Sequence, residues 1–179
     1  MRLKSMLAGL GLTLAMGVPI AAGQDMFPGW VAGAASDATM AAGRRFDCTG
    51  ASCPSDGLAC LHAVAPKGEG RIVPTSDLLR PRGMPWKDIE GWMSTKLVRL
   101  DPRLASDPRV KPGAWTVTEA AHLSDDKTYV AKRYTAGALS VPMALWMEQG
   151  AMNVLVCKTA SGAEDVAGRS VGELVKGLM

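Results

Sequence analysis

An α+β fold is predicted, with an antiparallel sheet of about four or more strands covered by a C-terminal helix. Three observations predict it. Four short apolar segments run from Trp115 to Cys157 and are separated by turn residues, the stretch after them carries one apolar stripe at helical spacing, and a proline-rich stretch over 66–112 precedes them all.

The strands are read as Trp115 to His122, Thr128 to Tyr134, Leu139 to Met147 and Met152 to Cys157. Ser124-Asp125-Asp126, Gly137 and Gln149-Gly150 bound them, and links this short imply antiparallel hairpins. Val141, Met143, Leu145 and Met147 alternate with Pro142, Ala144, Trp146 and Glu148. One face is apolar and the other mixed, the pattern of a sheet covered on one side. Pro142 cannot donate to a ladder, so an edge or a bulge is expected there. In the closing helix Ser161 and Glu164 have the spacing of a capping box, and Ala167, Val171, Leu174, Val175 and Leu178 form the stripe.

Residues 66–112 hold seven of the eleven prolines and ten basic against six acidic residues. They read as an irregular basic excursion around one helix, starting at Pro85 and stopping before Asp101-Pro102, because proline suits a first turn and the residue before proline resists helical geometry. Trp86, Ile89, Met93, Leu97 and Leu100 share its apolar face. Before the excursion lie a Phe27-Pro28-Gly29-Trp30 turn, an Ala/Gly-rich run to Gly43, and a strand over Leu58 to Val64.

The last 65 residues resemble the second half of the PsbP-type fold, in which a Lys-Arg-Tyr-like strand, a hairpin and a terminal helix follow in order. The matching segments are Lys132-Arg133-Tyr134, Val141 to Cys157 and Ala163 to Leu178. The resemblance covers about a third of the chain. It implies a sheet-plus-helix architecture and transfers no residue role or activity.

Arg2 and Lys4, the apolar run Met6 to Ile20, and Ala21-Ala22-Gly23 before Gln24 have the form of a signal peptide over 1–23. The expected mature part, 24–179, is a single α+β domain with no membrane span, periplasmic or secreted. It carries 18 Lys and Arg against 17 Asp and Glu, a balance that points to neither nucleic acid nor an acidic membrane as partner. All four cysteines lie in it, and in an exported chain they read as two disulfides. Three pairings are possible. Cys48 and Cys53 flank a short turn, whereas Cys60 and Cys157 sit in apolar strands, so 48–53 and 60–157 are expected. The spacing C-x4-C-x6-C fits no standard zinc module.

No motif marks a catalytic centre. Gly168-Arg169-Ser170-Val171-Gly172 satisfies the nucleophile-elbow expression, but it lies inside a helical pattern with no triad partners after it, so Ser170 is read as a residue of a solvated helix face. His62 has Asp47 and Asp56 as candidate carboxylates, and His122 has Glu119 and Asp125; neither set includes a nucleophile. Met143, Met147 and Met152 have the soft thioethers that hold Cu(I), yet they fall on the apolar alternation of the strands. No cofactor is expected. Trp92 lies beside the apolar stripe of its helix, and with Arg80, Arg82, Lys96 and Arg99 it forms a candidate contact surface of the tryptophan and arginine type found at binding hot spots. The reading is therefore an exported envelope protein that binds another envelope or secreted protein as an accessory, inhibitory or protective factor. A small periplasmic hydrolase with a His/carboxylate site and a metal or redox accessory protein are the alternatives.

Overall fold

Seven strands form one antiparallel sheet in a computed structural model that describes residues 27–33, 43–55, 57–65, 74–80, 86–111, 113–160 and 162–179. The expected signal peptide 1–23, the Ala/Gly run over 34–42, Asp56, Arg82, Pro85 and Ser161 lie outside the described residues. In chain order the strands are β1 (Trp30–Ala32), β2 (Arg44–Cys48), β3 (Ala59–Ala65), β4 (Thr116–Leu123), β5 (Val130–Ala136), β6 (Leu139–Glu148) and β7 (Ala151–Ala160). The helices are α1 (Trp86–Leu100) and α2 (Glu164–Leu178). The spatial order β1-β2-β3-β7-β6-β5-β4 joins two meanders, β1 to β3 and β4 to β7, through the β3/β7 ladder.

Two-residue turns set the register of the last two hairpins of the second meander. Ala136 pairs with Leu139 around Gly137-Ala138, and Glu148 with Ala151 around Gln149-Gly150. Gln149 and Gly150 both have positive φ, the conformation that matches the twist of a tight hairpin. In the β3/β7 ladder Cys60 stands opposite Cys157, and the two are disulfide-bonded; Cys48 bonds Cys53.

The sheet is covered on both faces, not one. Val141, Met143 and Leu145, with Val154, Val156 and Leu61, pack under Ile89, Met93, Leu97 and Leu100 of α1. Their neighbours Ala144, Trp146, Leu155, Cys60 and Cys157 pack with Phe46 under Ala167, Val171, Leu174 and Val175 of α2. Trp146 and Ala144 belong to this second core, which explains why β6 is buried without a break from Leu139 to Trp146. Pro142 is on an interior strand. Its missing N–H is accommodated where β6 has no ladder pairs with β7 at Val141 and Pro142, and the same register resumes at Met143.

α1 ends at Leu100 as expected, before Asp101-Pro102, whereas the start of α2 differs from expectation. Ala163, not Ser161, is the N-cap of α2, and the Glu164 side chain accepts from the Gly162 N–H. At the far end of α1, Arg45 on β2 donates Nη1 to the Leu100 carbonyl at 3.0 Å. A cation there satisfies one of the carbonyls a helix leaves open and meets the negative end of its dipole.

Candidate functional site

A cleft of about 550 Å³ opens where the carboxyl end of α1 meets the sheet. Its floor and walls come from Arg45, Asp47 and Cys48 of β2, Gly57 to Ala59 leading into β3, Lys158 to Ala160 of β7, and the β5–β6 turn at Ala138. Leu58, Leu100, Leu104 and Leu139 supply its apolar surface, and Arg103 and Arg109 stand on its rim side.

The rim is built by one short sequence used twice. Asp101-Pro102-Arg103 and Asp107-Pro108-Arg109 each open a 3-10 helix, Pro102–Ser106 and Pro108–Val110, with aspartate as N-cap and proline at the first position. The cap carboxylate accepts the arginine's backbone N–H, at 3.1 Å in the first copy and 2.9 Å in the second. The same arginine then folds its guanidinium back onto the same carboxylate through Nε and Nη2. The distances are both 2.9 Å for Arg103, and 2.8 and 2.6 Å for Arg109. Proline fixes the backbone and aspartate fixes the side chain, so each guanidinium is oriented by its own turn. Arg45 is held on Asp47 by the same Nε and Nη2 edge.

Asp101 ties the two parts of the site together. It also receives Lys158 Nζ from β7, and it is nearly enclosed. Its hydrogen bonds from Arg103 and then Lys158 hold its carboxyl far below the ordinary carboxylate range. The Arg109 contacts lower Asp107 to about 2. The aspartates raise Arg45, Arg103 and Arg109 in turn, first through their hydrogen bonds. These groups keep their charge throughout the physiological range, and none is poised to exchange a proton near neutrality.

Gly137 is required beside this rim. Its φ is +61°, and a Cβ there would collide with Nη1 of Arg109.

The residues expected to form a contact surface are only partly brought together. Trp92, Lys96 and Arg99 lie along one flank of α1, with Lys96 Nζ 5.7 Å from the centre of the Trp92 ring. Lys96 is only 4% exposed, and burial, then Arg99, lowers its pKa; an ammonium so enclosed is not presented to a partner. Trp92 is half-buried against the α1 core. Arg80 is exposed and pairs with Asp77 at 3.1 Å, Arg99 is exposed, and Arg82 lies outside the described residues.

Ser170 is not on a solvated face. It is 2% exposed and donates to the Ser52 carbonyl at 3.2 Å, which ties α2 to the Cys48–Cys53 loop. His62 and Asp47 project from opposite faces of the sheet, since Asp47 pairs with Ala59, an odd number of positions from His62. His122 reaches Glu119 at 3.5 Å, but that pair is exposed on the edge strand β4 and Glu119 is shared with Arg133. Met143 is buried, and Met147 and Met152 pair across the last hairpin as part of the α1-side core.

His62 itself is buried, stacked on Trp146 at 5.3 Å between ring centroids, with Nε2 3.0 Å from Asn153 Oδ1. Burial lowers its pKa, the Asn153 hydrogen bond opposes this, Arg44 lowers it further and Glu148 opposes. The unfolded chain takes a proton near the ordinary value of 6.5, whereas the folded chain resists it. Stability therefore falls as pH drops from 6.5 and levels off below the folded-state pKa. Denaturant midpoints at roughly pH 7.5 and pH 5 should show that loss in the wild type and a smaller one in His62→Gln.

The missed residues are Arg45, Asp101, Arg103, Asp107, Arg109 and Lys158. The repeated Asp-Pro-Arg was the available signal, since Asp followed by Pro at a helix start and a forked cation two residues later is readable locally. No protein-family model matches the chain, and no curated protein or solved structure matches it significantly.

Proposed function

We propose that this chain is exported with loss of residues 1–23 and acts in the periplasm or outside the cell by binding another envelope or secreted protein. Accessory, inhibitory and protective roles all use binding of this kind. The contact site is the cleft at the end of α1. The observation that carries the reading is the cleft's charge pattern: four cations and three carboxylates, each held by a partner. Fixed charges around an apolar floor recognise a ligand, whereas a hydrolase needs a group near its own pKa beside a nucleophile. Two disulfides support an oxidising compartment. No described helix is long and apolar enough to cross a membrane. The cleft also lies partly on the basic 66–112 excursion, with its centre at Arg103 and Arg109 in place of Trp92.

A steric plug tests this. Ala138 is exposed in the β5–β6 turn and lines the cleft, so Ala138→Trp fills the mouth while leaving every charged residue of the cleft in the sequence. The immobilised mature protein should capture a partner from envelope extract at least about tenfold better than the Ala138→Trp variant, a difference of roughly 1.4 kcal/mol in binding. Equal capture of the same partner by both would place the contact elsewhere.

A further inference from the structure

We propose that the cleft receives an acidic peptide segment of the partner, its carboxylates docking on the outward edges of Arg103 and Arg109. The inference rests on the binding reading above and specifies its chemistry.

Each guanidinium is gripped by its aspartate side-on, through Nε and Nη2. A guanidinium has five N–H donors in one plane, so this grip leaves the end-on edge, formed by Nη1 and the second Nη2 hydrogen, as a second fork. A carboxylate matches such a fork with two oxygens. The Arg103 side chain is 87% exposed and that of Arg109 56%, with Arg109 Nη1 lying against the Gly137 turn, so the Arg103 fork is the more open of the two and both are oriented by their aspartates. That fixing matters because the ordering of long side chains is a main cost of binding, and here the Asp-Pro-Arg turns impose it during folding.

Charge selects the ligand. Arg45, Arg103, Arg109 and Lys158 against Asp47, Asp101 and Asp107 leave one net positive charge in the cleft. Carboxylates spread along a peptide meet one fork each. A phosphate dianion would concentrate its charge beside fixed aspartates with little net positive charge to offset it. Shape selects further. Leu58, Leu100, Leu104 and Leu139 line a volume that falls in the usual range for ligand pockets and exceeds the needs of one small anion, so an apolar side chain between two acids has a place to go.

The test is calorimetric titration of the exported, disulfide-bonded protein with capped Glu-Leu-Ala-Leu-Glu, capped Gln-Leu-Ala-Leu-Gln and inorganic phosphate. The Glu peptide should bind at least tenfold more tightly than the Gln peptide, and phosphate should not compete with it. The Arg103→Gln/Arg109→Gln variant should lose tenfold or more in affinity while still unfolding in one cooperative transition. If that variant misfolds, the two peptides on wild-type protein still decide. Equal binding of both peptides, competition by phosphate, or full affinity in a folded double variant would each overturn the proposal. Partner capture that is sensitive to Ala138→Trp, with no Glu-peptide preference, would sink this inference alone and leave the binding reading standing.

Discussion

Replacing Cys60 and Cys157 together with Ala should lower the unfolding free energy by about 4 to 5 kcal/mol, against about 2 for Cys48 with Cys53. The difference follows from loop length. The first bridge joins residues 97 apart and closes β4 to β6 with most of β3 and β7 into one covalent loop, whereas the second closes a loop of separation 5. In the chain-entropy model the cost of closing a loop grows with the logarithm of its length, so the long bridge removes more freedom from the unfolded chain. Its position also suits the native state, because the two cysteines are opposed in the β3/β7 ladder and both are fully buried under α2. Urea titrations of the two double variants measure the comparison. A long-bridge variant no less stable than the short-bridge variant would show that the ladder and core hold the meanders together without the covalent link.

Trp146→Ala should cost about 3 to 5 kcal/mol, the range for removing a large aromatic side chain from a packed interior. The indole is 1% exposed, lies in the core under α2 and stacks on His62. Truncation leaves a cavity between the sheet and α2 and strips His62 of its stacking partner. Trp146→Phe provides the control. The indole Nε1 has no hydrogen-bond partner among the described residues, so Phe removes an unpartnered donor and keeps most of the ring volume. Denaturation should therefore rank wild type and Phe close together and Ala far below. A loss under 1 kcal/mol for Ala, roughly the value of a single buried methylene, would mean that α2 does not seal this face.

The second meander was legible because its signals are local. Gly137 and Gln149-Gly150 supply the turn conformations, and alternation along β6 and β7 supplies the faces. The α1 and α2 stripes were legible for the same reason. β2 was not. Arg-Arg-Phe-Asp-Cys reads as polar, and only the fold shows that Arg45 and Asp47 neutralise each other on the α1 side while Phe46 enters the other core. β1, with three residues, is too short for any pattern. The reading of Trp146 as part of a mixed face failed for a related reason, since coverage by a second helix is a tertiary fact.

The cleft divides in the same way. Each Asp-Pro-Arg turn is a local device that the sequence displays in full. Their convergence with Lys158 and Arg45, 57 and 55 residues away from the groups they bond, is fixed by the sheet order and by the course of α1, whose first residue Trp86 meets Lys132 of β5 and whose last residue Leu100 meets Arg45 of β2. Lys96 illustrates the opposite error. Helical spacing puts it beside Trp92, but only packing decides that it is enclosed.

Binding through the cleft is the central claim, and site-directed photo-cross-linking in the native envelope tests it most directly. A photoreactive residue at position 104 faces the cleft, and one at position 165 sits on the exposed start of α2. The account predicts one discrete protein adduct from position 104 that is lost on adding Ala138→Trp, and none of that mass from position 165. The same adduct from position 165, or an adduct from position 104 that survives the plug, would contradict it.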